Sequence, residues 1–302
     1  MKLTIFNKCS TISTKRTGDA KTLKDIEDRV ARTITEHHMI EPRGNVLVAV
    51  SGGKDSTVLL SILHKLGYKV TAITVNSHIG CYSDESLSCI KKVCKDLNIT
   101  LHVASFVDNY GSSVCYITDV LKEKGKPWGT CTVCGVLRRR LINKAARDLG
   151  STTIALGHNM DDEVQAYLMN VFRNRTSLNA RLGPVPGIVD HAQFVSRIKP
   201  LYYITEEETT YYAQAKGFPV RYGDCPCAVD SYRFAIKKFI KANEQAYPHL
   251  RKHVLEHLQQ HLATYQQHTD VQTPKECTQC GEPSSSTMCR SCVILRAFKE
   301  SP

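Results

Sequence analysis

Two hydrophobic periodicities alternate along the middle of the chain. Between Asn45 and Asp224, short apolar runs rich in β-branched residues are separated by stretches whose apolar positions recur at helical spacing. Strands joined by crossover helices in a parallel sheet are written this way. The runs predict strands over 45–50, 69–76, 100–106 and 152–157, with a fifth around 219–222. Helices are predicted at 56–66, 83–97, 133–149 and 161–173. "NVLVAV" and "TTIAL" are apolar without alternation, as strands buried on both faces are. The expected core is therefore an α/β, doubly wound parallel sheet. Such sheets bind ligands beyond the carboxyl ends of their strands, so the loops after Val50, Val75 and Leu156 should converge on one site.

Around this unit the pattern changes. A polar stretch leads into a helix over 21–38, ended by Pro42 and Gly44. After the unit come helical segments at 231–246 and 249–267, a linker at 269–274 and a short cysteine-bearing module at 277–292. The expected division is 1–43, 44–230, 231–274 and 275–302.

Length and composition narrow the class. At 302 residues the chain can bury one large core or two smaller ones. Its 40 Lys+Arg against 29 Asp+Glu leave a net +11, which favours a polyanionic partner over a merely soluble surface. No apolar run reaches the roughly 18 residues of a membrane span, and no signal-peptide pattern opens the chain. A cytoplasmic protein without a membrane partner is expected. Its 13 cysteines then argue for metal or sulfur chemistry, because the cytosol keeps thiols reduced.

"VAVSGGKDSTVLL", residues 48–60, carries a strand through Ser51, Gly52, Gly53, Lys54, Asp55 and Ser56 into a helix. Glycines allow close backbone approach to a phosphate, and free N–H groups at a helix start attract negative charge. The spacing is neither a Walker A loop nor G-x-G-x-x-G. An ordinary strand-to-helix turn is the plainer alternative, and the flanking Ser, Lys, Asp and Ser count against it. S-G-G-K-D-S resembles the PP-loop signature of ATP pyrophosphatases, whose fold is adenine nucleotide α-hydrolase-like. In that family ATP is cleaved between its α and β phosphates and the substrate is adenylated. The resemblance implies ATP and Mg²⁺, with Ser51, Gly52, Gly53, Asp55 and Ser56 on the phosphates and Lys54 adding a cation. It also implies nucleotide contacts at Ala49, Val75 and Gly157.

"IALGHNMDDEVQAYLMN", residues 154–170, ends another strand in Gly157 and His158 and opens a helix with Asp161, Asp162 and Glu163. Acidic residues in a first turn complement the helix dipole. A loop beside the phosphate site is also where magnesium carboxylates or an acid/base residue are placed. The stretch resembles the G-H-N-x-D-D element of the tRNA-thiolating branch of the PP-loop family, which implies an essential aspartate at Asp161 or Asp162, with Asp162 preferred. His158 reads as a structural or substrate-positioning residue, since no metal-ligand partners lie near it in sequence.

Two cysteine constellations differ in completeness. "CTQCGEPSSSTMCRSC" sets Cys277 and Cys280 against Cys289 and Cys292, and four thiolates on two C-x-x-C hooks form a closed structural Zn²⁺ site. "GTCTVCGVLRRRL" gives Cys131 and Cys134 no such partner pair. The nearest companion is "GDCPCAVD", with Cys225 and Cys227. Two thiols from one loop and one from another can hold three irons of a [4Fe–4S] cluster and leave the fourth open. Cys9, Cys81, Cys89, Cys94 and Cys115 have no ligand spacing and read mostly as small buried hydrophobes.

"CTVCGVLRRRLINKAARDLG", "ALGHNMDDEVQAYLMN", "RIKPL" and "CPCAVDSYR" resemble, in that order, the PP-loop tRNA 2-thiolation enzymes of the TtuA type and the archaeal and eukaryotic cytoplasmic wobble-uridine thiolases. The cytidine thiolase TtcA is a more distant match. The resemblance covers about residues 25–296. It implies an ATP-dependent tRNA 2-thiouridine synthetase, homodimeric, which adenylates the uridine C2 oxygen and replaces it with sulfur delivered through a cluster on Cys131, Cys134 and Cys225. The sulfur donor would be sulfide or a ubiquitin-like thiocarboxylate carrier protein. Arg138 or Arg139 would bind ATP phosphates. A rival chemistry, with Cys131 or Cys225 as a persulfide nucleophile and no cluster, stays open. So do cytidine-32-type thiolation, another PP-loop sulfur transfer and an inactive tRNA- or Fe–S-binding scaffold.

Two features depart from the family pattern. The N-terminal zinc knuckle has only Cys9 to draw on and is expected to be absent. E-C-P-Y is replaced by Asp224-Cys225-Pro226-Cys227, so Cys227 could ligate, relay sulfur or simply pack, with Cys225 preferred as ligand. A tRNA substrate gives the positive charge a purpose. Arg173, Arg175, Lys237, Lys238 and Lys241 are the leading contacts, followed by Arg181, Arg233, Arg251 and Lys252, although a solvated face would look the same.

Overall fold

The structure is a computed structural model and describes residues 20–187, 191, 193–228, 231–269 and 274–300. The expectations for Cys9 and the N-terminal knuckle fall outside these residues, as does most of the 269–274 linker. Five strands, β1 (Asn45–Ala49), β2 (Lys69–Asn76), β3 (Leu101–Ser105), β4 (Thr153–Leu156) and β5 (Ser196–Ile198), form one sheet in the order β3-β2-β1-β4-β5. Every pairing is parallel. The helices are α1 (Ala20–Glu36), α2 (Lys54–Lys65), α3 (Gly80–Asp96), α4 (Phe106–Tyr110), α5 (Val114–Glu123), α6 (Thr130–Asp148), α7 (Met160–Phe172), α8 (Glu206–Ala215), α9 (Tyr232–Glu244), α10 (Leu250–Gln267) and α11 (Arg290–Lys299). A small antiparallel pair, β6 (Lys275–Glu276) with β7 (Pro283–Ser284), accompanies α11.

One strand differs from expectation. Residues 219–222 contribute only an isolated parallel bridge between Gly53 and Arg221. The fifth strand is β5, whose backbone pairs with β4 at Thr153, Ile154 and Ala155. Polar flanks and a length of three residues hide it from a hydrophobicity reading.

The chain builds outward from β1 in both directions, so the switch in strand order lies between β1 and β4, where a crevice opens beyond the strand ends. Val46, Leu47 and Val48 of β1 are buried. The α2 residues 56–63 are buried as well, because that helix is sandwiched between the sheet and α1 and α8. On the other face α6 covers β1, β2 and β4 through Ala146. α7, α9 and α10 share a separate apolar cluster around Tyr202. A buried ion pair, Lys199 Nζ to Glu163 Oε2 at 2.6 Å, with Gly183 N–H donating to the other carboxylate oxygen at 2.5 Å, ties the segments flanking β5 to α7. The C-terminal module rests on α5 and α6: Ile294 and Ala297 join their apolar cluster, and Lys124 donates to the carbonyls of Ala297 and Phe298 at 3.1 and 2.9 Å.

Candidate active site

The loop after β1 is held in shape by its own side chains. Ser51 N–H donates to Ser56 Oγ at 3.0 Å, and Ser56 Oγ donates to Gly53 O at 3.2 Å. Two glycines are dictated by crowding. Gly52 has φ +83°, and a Cβ there would lie 2.7 Å from the Ser86 carbonyl oxygen. At Gly157 a Cβ would lie 2.8 Å from the Ser56 backbone, so the loop after β4 is pressed against the start of α2. Asp55 ties the same region together. Its Oδ1 accepts from Asn159 Nδ2 at 3.1 Å and from Thr209 Oγ at 2.5 Å, and its Oδ2 pairs with Lys54 Nζ at 3.0 Å. Lys54 also pairs with Glu206 at 3.0 Å. Both side chains thus have charged protein partners, whereas among the described residues Ser51 Oγ meets only Ser56 Oγ at 3.3 Å and the Gly53 N–H at 3.5 Å.

α7 begins with a capping box in which Asp162 N–H donates to Asn159 Oδ1 at 3.1 Å and Asn159 N–H to Asp162 Oδ2 at 3.4 Å. The adjacent aspartates have different surroundings. Asp161 is buried, its Oδ1 2.6 Å from Arg251 Nη1 and its Oδ2 accepting the Glu206 N–H at 2.8 Å. Burial pushes its carboxyl upward, against the lowering by these partners. Asp162 is one-third exposed, and its remaining partner is Arg233 at 3.5 Å.

Two cavities meet at the strand ends. One, of about 580 Å³, runs from an apolar slot of Ala49, Ile73, Val75, Leu87 and Leu156 past Ser51, Ser56 and Gly157. This matches the size and mixed lining of a small-molecule site. Arg138, Arg139 and Arg197 line it, and no carboxylate among the described residues pairs with any of them. Burial holds Arg139 and Arg197 below the ordinary guanidinium value, Arg139 adding repulsion at Arg197. Arg138 Nε is buried without a partner. Three guanidinium groups with no paired carboxylate form a site for an anion. Arg197 had no place in the sequence reading, because it stands on β5; the "RIKPL" stretch was the signal that contained it. His158 is exposed on the rim.

The other cavity, of about 490 Å³, is lined by Gly53, Arg221, Asp224, Cys225, Arg233 and Lys237. Ser51, Asp55, Tyr82, Ser86 and Asp162 line both, so the two share a wall. Cys131 and Cys134 sit in the first turn of α6, after Gly129. Cys134 Sγ lies 3.6 Å from both Ser77 Oγ and Arg138 Nη2. Burial, with Cys225 and Cys134 nearby, pushes the Cys131 thiol up. Cys134, Cys225 and Cys227 pack against one apolar cluster, and Cys131 Sγ donates to the Cys227 carbonyl at 3.3 Å. Burial and the Cys225 and Cys115 thiols push Cys227 up to about 12.

The C-terminal set is tighter. The sulfurs of Cys277, Cys280, Cys289 and Cys292 all lie within 4.8 Å of one another, and Cys280 and Cys289 are 3.7 Å apart. Among the described residues, Cys131, Cys134 and Cys225 are not drawn into such a group. The C-terminal set is spaced for a single ion. Burial raises the Cys277 thiol, but N–H groups of Cys289, Gln279 and Cys280 outweigh this and bring it to about 6, which favours a thiolate ligand. Arg140 of α6 reaches Cys292 at 3.6 Å, joining the two sulfur sites through one helix. Of the other cysteines, Cys89 and Cys94 are buried as expected, whereas Cys115 is half-buried and Cys81 exposed.

The basic residues divide. Arg175, Arg181, Lys238 and Lys241 are exposed, and Arg173 lies 4.0 Å over the Tyr232 ring. Lys237 turns into the second cavity, 3.0 Å from Glu206. Arg251 is taken up by Asp161, Glu207 and Glu244, and Lys252 pairs with Glu256 at 3.7 Å.

Comparison with known proteins places this arrangement. A family model described as a PP-loop domain matches residues 23–224. The tRNA-5-methyluridine(54) 2-sulfurtransferase of Pyrococcus horikoshii is 32% identical over 274 residues, 91% of this chain and 86% of that protein. The Cytoplasmic tRNA 2-thiolation protein 1 of Drosophila melanogaster is 31% identical over 94% of this chain and 83% of its own. Among solved structures, the U34-tRNA thiolase NcsA from Methanococcus maripaludis with its [4Fe-4S] cluster superposes with a TM-score of 0.76 at 24% identity, covering 93% of this chain and 89% of that one.

Proposed function

The chain belongs to the PP-loop domain family, and from that premise we propose that it is an ATP-dependent tRNA sulfurtransferase that converts a uridine to 2-thiouridine. The observation that carries the reading is the wall shared by the arginine-lined cavity and the one that Cys225 lines, with relatives named as tRNA 2-sulfurtransferases behind it. ATP would lie with its base in the apolar slot, its phosphates on the N–H groups of 51–56 and beside Arg138, Arg139 and Arg197. These cations would stabilise charge as the uridine C2 oxygen attacks the α-phosphorus and pyrophosphate departs. Sulfur then attacks C2 and AMP leaves with the original oxygen. Asp162, between the two cavities, would hold Mg²⁺, which offsets phosphate charge. Cys131, Cys134 and Cys225 would hold a [4Fe–4S] cluster, which would supply an iron able to accept sulfide.

On the same reading the tRNA lies across Arg173, Arg175, Lys238 and Lys241, with Arg233 and Lys237 at the cavity mouth, and the enzyme is a homodimer. The same reading divides it into 1–43, 44–230, 231–274 and 275–302. Anaerobic reconstitution with iron, sulfide, ATP and a tRNA transcript should give AMP and 2-thiouridine in nucleoside mass spectra. AMP with 2-thiocytidine would favour the cytidine-type reading, and neither product would refute sulfur transfer.

Cys277, Cys280, Cys289 and Cys292 would hold Zn²⁺. The double variant Cys280→Ser/Cys289→Ser should lose its zinc by elemental analysis. Its unfolding temperature should fall by roughly 5 °C, because about 2 kcal/mol of docking at α5 and α6 goes with the metal. Retained zinc would refute the assignment.

A further inference from the structure

Two large rings stand in water outside the α7–α9 interface. Phe172, the last residue of α7, is 54% exposed and Phe239 of α9 is 47% exposed. They meet edge to face, 6.0 Å between centroids and 85° between planes. Single exposed rings are ordinary, but a joined pair is a patch that calls for a partner. Its surroundings are basic. The stretch 172–182 holds Arg173, Arg175 and Arg181, and 231–241 holds Arg233, Lys237, Lys238 and Lys241; neither stretch contains an Asp or Glu. Arg173 is exposed with its guanidinium 4.0 Å over the Tyr232 ring, and the exposed Lys238 holds Nζ 4.7 Å over the Phe234 ring. Phe234 lines the second cavity, so this basic and aromatic strip starts at the cavity itself. From Arg233, which reaches Asp162, to Phe239 is about 9 Å along the α9 axis.

We propose that Phe172 and Phe239 form a stacking platform for an unpaired base of the RNA, an inference that rests on the tRNA reading and names the part of the substrate that is gripped. Cations beside aromatic faces, with no carboxylate in either stretch, suit a polyanion that carries flat rings. An apolar protein segment would bury the rings but has no use for the cations. A helical RNA stem would meet the cations but keeps its base faces stacked inside, whereas a single-stranded loop offers both phosphates and free faces. Arg173, Arg175 and Lys238 would hold the backbone of that loop while the rings take a base next to the reacting uridine. The short span along α9 sets the platform close enough to hold the loop open at the cavity, where the uridine must leave its neighbours to be reached.

The test uses the full-length protein with two labelled probes, a tRNA transcript and a blunt RNA duplex without a loop, and reads fluorescence anisotropy over a series of salt concentrations. Phe172→Ala/Phe239→Ala should bind the transcript at least tenfold more weakly. Its salt slope should match the parent's, because no phosphate contact is lost, and its affinity for the duplex should be the parent's, which also shows that the variant is folded. Phe172→Leu/Phe239→Leu, which keeps apolar bulk without a ring, should lose as much as the alanine pair, whereas Phe239→Trp should bind at least as well as the parent. Undiminished transcript binding by the alanine pair, an equal loss on the duplex, or full binding by the leucine pair would overturn the platform. So would a fall in sedimentation mass, which would make the patch a contact between copies of this chain. The sulfurtransferase reading is judged separately: a reconstituted parent that shows these binding differences and makes no 2-thiouridine would strike that reading and leave the platform standing.

Discussion

Asp162→Asn is expected to lower kcat for thiolation by about 10²–10³ while leaving the unfolding temperature unchanged, and Asp161→Asn is expected to do the reverse. Asparagine keeps the oxygen that caps α7 and removes the charge facing both cavities. At Asp161 both carboxylate oxygens already serve the fold, one with Arg251 and one with the Glu206 N–H. Breaking one partner of a buried ion pair costs roughly 3–5 kcal/mol. Glu207 and Glu244 remain for Arg251, so about 1–3 kcal/mol is the fitting scale, several degrees in a thermal melt. Single-turnover AMP release and calorimetry on both variants would decide the matter. Equal kcat losses with equal melting temperatures would remove the distinction.

The aspartates show how much was legible in the sequence. Adjacent positions on a first helical turn share propensity, charge and dipole effects, so only the tertiary partners tell them apart. β1 and β4 were legible because burial on both faces forces continuous apolar runs, and Gly52 and Gly157 prove to stand where no other residue fits between loop and backbone. β5 was not, since backbone pairing to β4 rather than its side chains makes it a strand. Missing β5 also meant missing Arg197, the third cation of the arginine-lined cavity. Arg251 shows the opposite error. A basic residue on a polar helix reads as a surface contact until three carboxylates are found around it. The C-terminal cysteines were plain because their spacing alone brings four sulfurs together.

Cys225 and Cys227 invite the same kind of separation. After anaerobic reconstitution, Cys225→Ser should lose most of its iron, and its 2-thiouridine yield should fall about 10²-fold or more, the scale of a lost active-site contact. Cys227→Ser should keep its iron. Cys225 lines the cavity that adjoins the phosphate loop, and its charge is felt at Cys131 on α6. Cys227 lines neither cavity; its carbonyl accepts from Cys131, and its side chain packs against the apolar cluster of α5, α6 and α11. A serine hydroxyl is a poor substitute for a thiolate on iron, which prefers the softer sulfur. Iron and acid-labile sulfide assays, with the visible absorption of the reconstituted proteins, would read the outcome directly. If Cys227→Ser lost iron and Cys225→Ser kept it, ligation would belong to Cys227.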